Sequence, residues 1–213
     1  SGLGCPDWPG CYGSSSPVGA HGPISAAEAA MPSGPVTRGK AWIEMIHRYL
    51  ATGVGVLITV LALASWVEHR RSLRHDSAGE VSPWWATATL IWVCVQGAFG
   101  ALTVTMKLYP AIVTAHLLGG IALLVLLAVQ AQAYAPAPLA LPRALERAVL
   151  AVLGLTVIQS ALGGWVSTNY AVLACSGFPQ CNGAWWPDMD FGQGFTLQRE
   201  LGRAGDGGFL SVQ

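Results

Sequence analysis

Four stretches of this chain are too long and too apolar to be covered by a soluble fold of its size. They run from about Trp42 to Val67, Trp84 to Thr105, Ala111 to Tyr134 and Ala148 to Val166. A helix of about 20 apolar residues crosses the hydrocarbon core of a bilayer, and each stretch meets or approaches that length. Tryptophan or tyrosine stands near many of the ends (Trp42, Trp66, Trp84, Trp85, Tyr109, Tyr134), where an amphipathic ring suits the membrane–water interface. Charged residues make up 10% of the sequence, against roughly 25% in soluble domains. That shortage argues against a water-wetted globule, and no nucleic-acid partner is expected. No stretch has the basic start, short apolar run and cleavage site of a signal peptide. The expected fold class is an all-α integral membrane protein, a transmembrane helix bundle embedded in membrane lipid, with four helices in this chain.

The spans divide the chain into 1–41, an outer loop; 42–134, three helices; 135–168, an inner loop and the fourth helix; and 169–213, a second outer loop. Glu68 to Asp76 is expected to join helices one and two, Met106 to Pro110 to form a tight turn, and Ala135 to Arg143 to join helices three and four. Residues 12–41 and 182–213 are rich in Gly, Ser, Pro and Ala and are read as loops.

Two cysteine brackets lie in those loops: Cys5-x-x-Trp8-Pro9-x-Cys11-x-Gly13 and Cys175-x-x-Phe178-Pro179-x-Cys181-x-Gly183. They repeat one skeleton and hold four of the five cysteines. Four cysteines allow three pairings, and the small loop that both brackets would close favours pairing within each. Loop staples and a thiol–disulfide relay both remain open, although neither bracket has the Cys-x-x-Cys spacing of a redox centre. Cys94, mid-helix, is read as a small core residue. Four crossings put both brackets on one side, and disulfides persist in an oxidising compartment. The expected place is a bacterial plasma membrane with both brackets periplasmic. Arg70, Arg71, Arg74, Arg143 and Arg147 in the inner loops agree, but Arg38, Lys40, Arg48, Arg199 and Arg203 lie on the outer side.

The duplication extends beyond the brackets. Gln159-Ser160-Ala161-Leu162-Gly163-Gly164-Trp165-Val166 precedes the second, and Gln96 to Val104 echoes it. Such repeats suggest two bundles of like design about a pseudo-symmetry axis. The first bracket starts near residue 1 and His47 follows Cys11 by 36 positions, whereas the same offset from Cys181 falls beyond Gln213. A repeat with one helix missing in front and most of its second half missing behind is expected.

Ionisable residues near an apolar span need a reason, since a charge at the helix centre costs about 2.5–3.5 kcal/mol on insertion scales. The first span opens Trp42-Ile43-Glu44-Met45-Ile46-His47-Arg48-Tyr49. Glu44 and His47, three apart, share a helical face. His47 follows Trp42 by five residues, and His116 follows Ala111 by five. Both spans enter from the outer side, so the two imidazoles should lie at one depth, about 7–8 Å in. Thr52, Gly53 and Gly55 follow the first histidine, and Gly119 and Gly120 the second, leaving room for a flat ligand or for close helix packing. Two histidines at one depth on two helices suit the axial ligation of a haem iron. Interhelical hydrogen bonds or snorkelling are the plainer reading of each alone. A carboxylate-bridged di-iron site needs Glu-x-x-His twice, and only Glu44/His47 fits. Gln96 and Gln159 are expected to bond across helices. Arg38, Lys40 and Arg48 are candidates to pair with haem propionates.

Taken together, Ser1-Gly2-Leu3-Gly4-Cys5-Pro6-Asp7-Trp8-Pro9-Gly10-Cys11, Glu44-x-x-His47-Arg48, Ala115-His116-Leu117-Leu118-Gly119-Gly120, Leu162-Gly163-Gly164-Trp165-Val166 and the second bracket through Asn182-Gly183-x-Trp185-Trp186-Pro187 resemble the haem A synthase family of cytochrome oxidase assembly. The resemblance implies eight helices in two pseudo-symmetric halves, each with a histidine pair, and this chain matches helices two to five. It implies that His47 and His116 hold the substrate haem O, that Glu44 is the catalytic carboxylate, and that Cys5–Cys11 and Cys175–Cys181 are outer-loop disulfides. It also implies a permanent haem B on the other histidine pair, and oxidation of a haem O methyl group to the formyl of haem A. An enzyme that supplies haem O, an electron donor or acceptor and an oligomer are the partners to consider. A bis-histidine electron-transfer cytochrome and a membrane thiol–disulfide oxidoreductase are the rival classes.

Overall fold

Inside a bilayer no water is present to bond a peptide group, so each spanning segment must satisfy its own N–H and C=O groups. Long apolar stretches therefore become helix. A computed structural model describes residues 3–32, 34, 36–75, 82–135, 140–169, 171 and 174–197, and these residues contain no strand. The described helices are α1 (His21–Ala30), α2 (Arg38–His75), α3 (Pro83–Thr105), α4 (Pro110–Tyr134), α5 (Arg143–Thr168) and α6 (Phe191–Gly194). Helices α2 to α5 are long and apolar enough to cross a membrane.

Three boundaries differ from the sequence reading. Residues 12–41, read as loop, contain α1 and the start of α2. The Ile24-Ser25-Ala26-Ala27-Glu28-Ala29-Ala30 run is built mostly of good helix formers and buries Ile24, so its alanines signal helix rather than turn. The polar connector after Val67 is helical to His75, because arginine, glutamate and leucine continue a helix readily. Polarity there marks the edge of the bilayer, not the end of the helix. With 38 residues, α2 is about 57 Å long at 1.5 Å per residue, well beyond a core of about 30 Å. Finally, Phe191–Gly194 forms one helical turn, opened by Asp190, whose carboxylate accepts from the Gln193 N–H at 3.0 Å. Asp76, Pro136, Pro138, Arg199 and Arg203 of the expected loops lie outside the described residues.

The turn between α3 and α4 is as tight as expected. Lys107 and Leu108 have φ of 50° and 62°, and their N–H groups bond to the carbonyls of Val104 at 3.0 Å and Thr103 at 2.8 Å. This is a Schellman closure, which satisfies carbonyls that the helix end leaves open. Pro110 then begins α4, where its missing N–H costs nothing.

The chain divides into two compact units: Ser1–Leu108 with Gly119–Ala140, and Tyr109–Leu118 with Leu141–Gln213. In the first, α2 and α3 pack together. Trp66 donates to the Thr87 hydroxyl at 2.9 Å and meets Trp84 edge-on at 5.4 Å, while the Ser65 and Tyr134 hydroxyls pair at 2.7 Å. These aromatic and hydroxyl contacts gather at one end of the helices, as an interfacial belt does. The Thr89 hydroxyl lies between the Trp85 carbonyl at 2.9 Å and Gln130 Oε1 at 3.1 Å. Gln96 is buried, and its carboxamide occupies the space where Gly119 has no side chain. In the second unit, Gly164 packs against Thr114 and Leu117, and Trp165 donates to the Gly194 carbonyl at 2.8 Å. Phe195 stacks on Trp165, and the Tyr109 hydroxyl donates to the Leu197 carbonyl. Gln159 is exposed on α5.

A methyl group at position 119 would run into the Gln96 carboxamide. Gly119→Ala should therefore cost about 1–3 kcal/mol by overpacking. The cost should shrink in a Gln96→Ala background, which vacates the space. Thermal unfolding in detergent of both single variants and the double variant checks this coupling.

Candidate functional site

The first bracket is a small loop whose every end is tied. Cys5 is disulfide-bonded to Cys11, and the chain then reverses through Tyr12 and Gly13, both at positive φ (49° and 71°). Cys11 and Ser14 exchange backbone hydrogen bonds at 2.8 and 3.0 Å, closing a two-residue hairpin turn. Asp7 holds that turn from inside the loop, its carboxylate accepting from Tyr12 N–H at 2.6 Å and Gly13 N–H at 2.8 Å. The sequence reading passed over Asp7, whose partners lie five and six residues on, beyond the two-residue reach of the Asx turn that a sequence signals.

Below the loop, α2 presents Glu44 and Arg48 one turn apart. Glu44 Oε2 accepts from the backbone N–H groups of Gly4 at 2.7 Å and Cys5 at 3.1 Å. Its other oxygen accepts from Arg48 at 2.5 Å. Arg48 Nη1 lies 3.0, 3.1 and 2.5 Å from the carbonyls of Asp7, Pro9 and Gly10. Gly4 is what allows this approach: a Cβ there would sit 2.6 Å from the Lys40 carbonyl carbon. Tyr49 adds a hydrogen bond to the Ser15 carbonyl at 2.5 Å. Cys5, Cys11, Ala20, Ile24, Ala41 and Met45 form the buried core beneath. Arg48 and Glu44 are only 12% and 18% exposed, so solvent screens their charges weakly.

His47 stands beside this pair and is exposed. One and two turns further along the same strip, Ala51 and Gly55 line a cavity of about 410 Å³. Thr52, Val56, Thr59 and Val60 of α2 complete one wall, with Leu90, Val93 and Cys94 of α3 opposite. Cys94, expected in the core, is exposed on α3 and borders this cavity instead. Among the described residues no cluster of three or more His, Cys, Asp and Glu side chains could hold a bare metal ion. His116 lies half-buried in the second unit, on the first turns of α4. Thr114, two residues before it, is buried, and its hydroxyl has no hydrogen-bond partner among the described residues. Of the other cations near the start of α2, Lys40 donates to the Gly34 carbonyl at 2.8 Å.

The second bracket repeats the backbone of the first. Cys175 is bonded to Cys181, Asn182 and Gly183 have positive φ (52° and 80°), and Cys181 and Ala184 exchange hydrogen bonds at 3.0 and 3.1 Å. Gly177 stands where the first has Asp7, and Asn182 supplies the side-chain tie, accepting from the Ser176 N–H at 2.9 Å. The surroundings differ. Cys5 and Cys11 are fully buried, whereas Cys175 is exposed and Phe178 is 97% exposed. A buried first disulfide is badly placed for thiol exchange, which argues against the brackets as a redox relay.

Residues 1–203 match the family described as cytochrome oxidase assembly protein. The chain belongs to that family. It is 38% identical over 200 residues to a protein named Heme A synthase from Shewanella oneidensis, a match covering 92% of this chain and 58% of the relative. Proteins of the same name from Halalkalibacterium halodurans (28% over 194 residues, 88% and 57%) and Shouchella clausii (31% over 157 residues, 69% and 49%) also match. The chain thus spans less than two thirds of each relative. No solved structure matches it significantly. Family membership and four spanning helices make it an integral membrane protein.

The difference in burial sets an order of reactivity. Under graded reductant with a thiol-alkylating reagent, Cys175 and Cys181 should label before Cys5 and Cys11. Peptide mass spectrometry reads the order; equal rates would mean that α1 and α2 do not shield the first bracket.

Proposed function

We propose that this chain provides the substrate-haem half of a haem A synthase, the enzyme that oxidises a methyl group of haem O in successive steps to the formyl of haem A. The reading is supported by 38% identity, across 92% of the chain, to a relative named Heme A synthase. His47 and His116 are the proposed axial ligands of the substrate iron. The fit is local: an exposed imidazole on α2 heads a strip that leads onto an open, apolar cavity of about 410 Å³ between α2 and α3. Ala51 and Gly55, one and two turns on from His47, are small residues that would leave room for a flat ring there. Glu44, three residues from His47, is the carboxylate proposed for the reaction, and Arg48 is the proposed propionate partner. A permanent haem B belongs to a second histidine pair and not to these two residues. The enzyme that delivers haem O, and an electron donor or acceptor, are the partners this chemistry requires. Both brackets are proposed to face the periplasm across a bacterial plasma membrane, because four crossings bring them to one side and disulfides persist there.

A reduced-minus-oxidised absorption spectrum of the chain, purified in detergent after expression with haem supplied, tests the ligands. The expected result is a low-spin bis-imidazole spectrum, lost in both His47→Ala and His116→Ala. Retention of the spectrum in both variants would remove the assignment. Extraction and chromatography of the haem then separate a synthase, which converts haem O, from a cytochrome that leaves it unchanged.

A further inference from the structure

We propose that Glu44 and Arg48 also form a clasp that locks the Cys5–Cys11 loop onto α2 at the outer end of the His47 strip. This role deepens the haem reading and rests on it for its consequence. It adds loop anchoring to the reaction and propionate roles proposed for the two side chains.

Both oxygens of Glu44 are committed. One takes two backbone N–H groups of the loop's entry and the other takes Arg48. The guanidinium in turn faces three loop carbonyls with one nitrogen and the carboxylate with another. Three carbonyls converging on one point repel each other unless a cation sits among them. A planar fork meets the carbonyls and the carboxylate together, as a lysine ammonium does not. The convergence is built by the loop itself. The disulfide brings residues 5 and 11 together, and Asp7 fixes the turn that follows. Without the clasp, two N–H groups and three carbonyls would be left short of partners beside an apolar core, each costly. Without the disulfide, the carbonyls would not meet.

The position along α2 gives the clasp its consequence. Residues four apart follow one ridge of a helix, so Glu44, Arg48 and Thr52 continue directly into the cavity wall. His47, immediately before Arg48, flanks the ridge. The clasped loop is therefore a rim set by Glu44 and Arg48, and it defines the approach to the His47 imidazole from the outer side.

The test compares Glu44→Gln, Glu44→Ala, Arg48→Lys, Arg48→Ala, the Glu44→Ala/Arg48→Ala double variant and Cys5→Ser/Cys11→Ser in the whole chain, each confirmed monodisperse in detergent. Reductive opening of Cys5–Cys11 should accelerate about tenfold or more in either alanine variant, the scale of a lost charge-assisted hydrogen bond. Opening of Cys175–Cys181 should not change, which separates clasp loss from general unfolding. The double variant should be no faster than the single ones, since either removal breaks the same unit. With haem supplied, the Glu44, Arg48 and double-serine variants should share one altered spectrum, distinct from the loss seen on replacing His47. Unchanged protection in Glu44→Ala and Arg48→Ala would overturn the clasp. Lost protection with an unaltered spectrum would overturn its positioning of the haem site. If the parent chain takes up no haem, the haem reading fails, while the protection rates still decide the clasp.

Discussion

Every backbone polar group buried in hydrocarbon must find its partner within the protein, and this requirement organises the molecule. It makes four apolar stretches helical, and it also governs the polar side chains within them. Thr52, Thr59, Thr156 and Ser160 return their hydroxyls to the carbonyl four residues back, at 2.8–2.9 Å, so each crosses without an open donor. Where side chains do bond between helices, as with Trp66 and Thr87 or Trp92 and the Gly119 carbonyl, the contact fixes a particular register. Apolar side chains alone could slide, since lipid is as apolar as leucine.

The same requirement, applied near the start of α2, produces a closely tied polar arrangement. A loop of seven residues, closed by a disulfide, turns its carbonyls towards one place and its first N–H groups towards another. A glutamate and an arginine one helical turn apart meet both sets. The pair is nearly buried, a setting in which charges are retained only if all their partners are present. That condition is met here, and it joins the loop, α1 and α2 into one small core outside the apolar span. The second bracket has the same backbone and lacks that setting, which shows that the repeated motif defines a loop but not what the loop is packed against.

Much of this was legible in the chain itself. The spans were readable because length and apolarity are properties of consecutive residues, and the α3–α4 turn because Pro110 stops one helix and starts another. The paired brackets stood out through their repeated skeleton, and the proximity of Glu44, His47 and Arg48 followed from helical spacing. What failed to show has physical reasons. The ends of α2 were misjudged because helix propensity and membrane solubility are separate properties, and Arg70 and Glu68 favour the first without the second. The Ala-rich α1 was hidden among glycines and prolines. Gly119 read equally as space for a ligand or for close helix packing, and Gln96, distant in sequence, decides for packing.

By itself, then, the sequence determined that the chain is helical and membrane-spanning, where its cysteines cluster, and which ionisable residues stand close together on α2. These depend on local order and composition, and neighbours in sequence remain neighbours in space. Tertiary structure alone decided what Glu44 and Arg48 hold, that Cys5–Cys11 is buried while Cys175 is exposed, and that Cys94 borders a cavity rather than a core. Each of those depends on partners far along the chain, 41 residues apart for Arg48 and the Asp7 carbonyl, and such pairings are set by packing that no short stretch of sequence encodes.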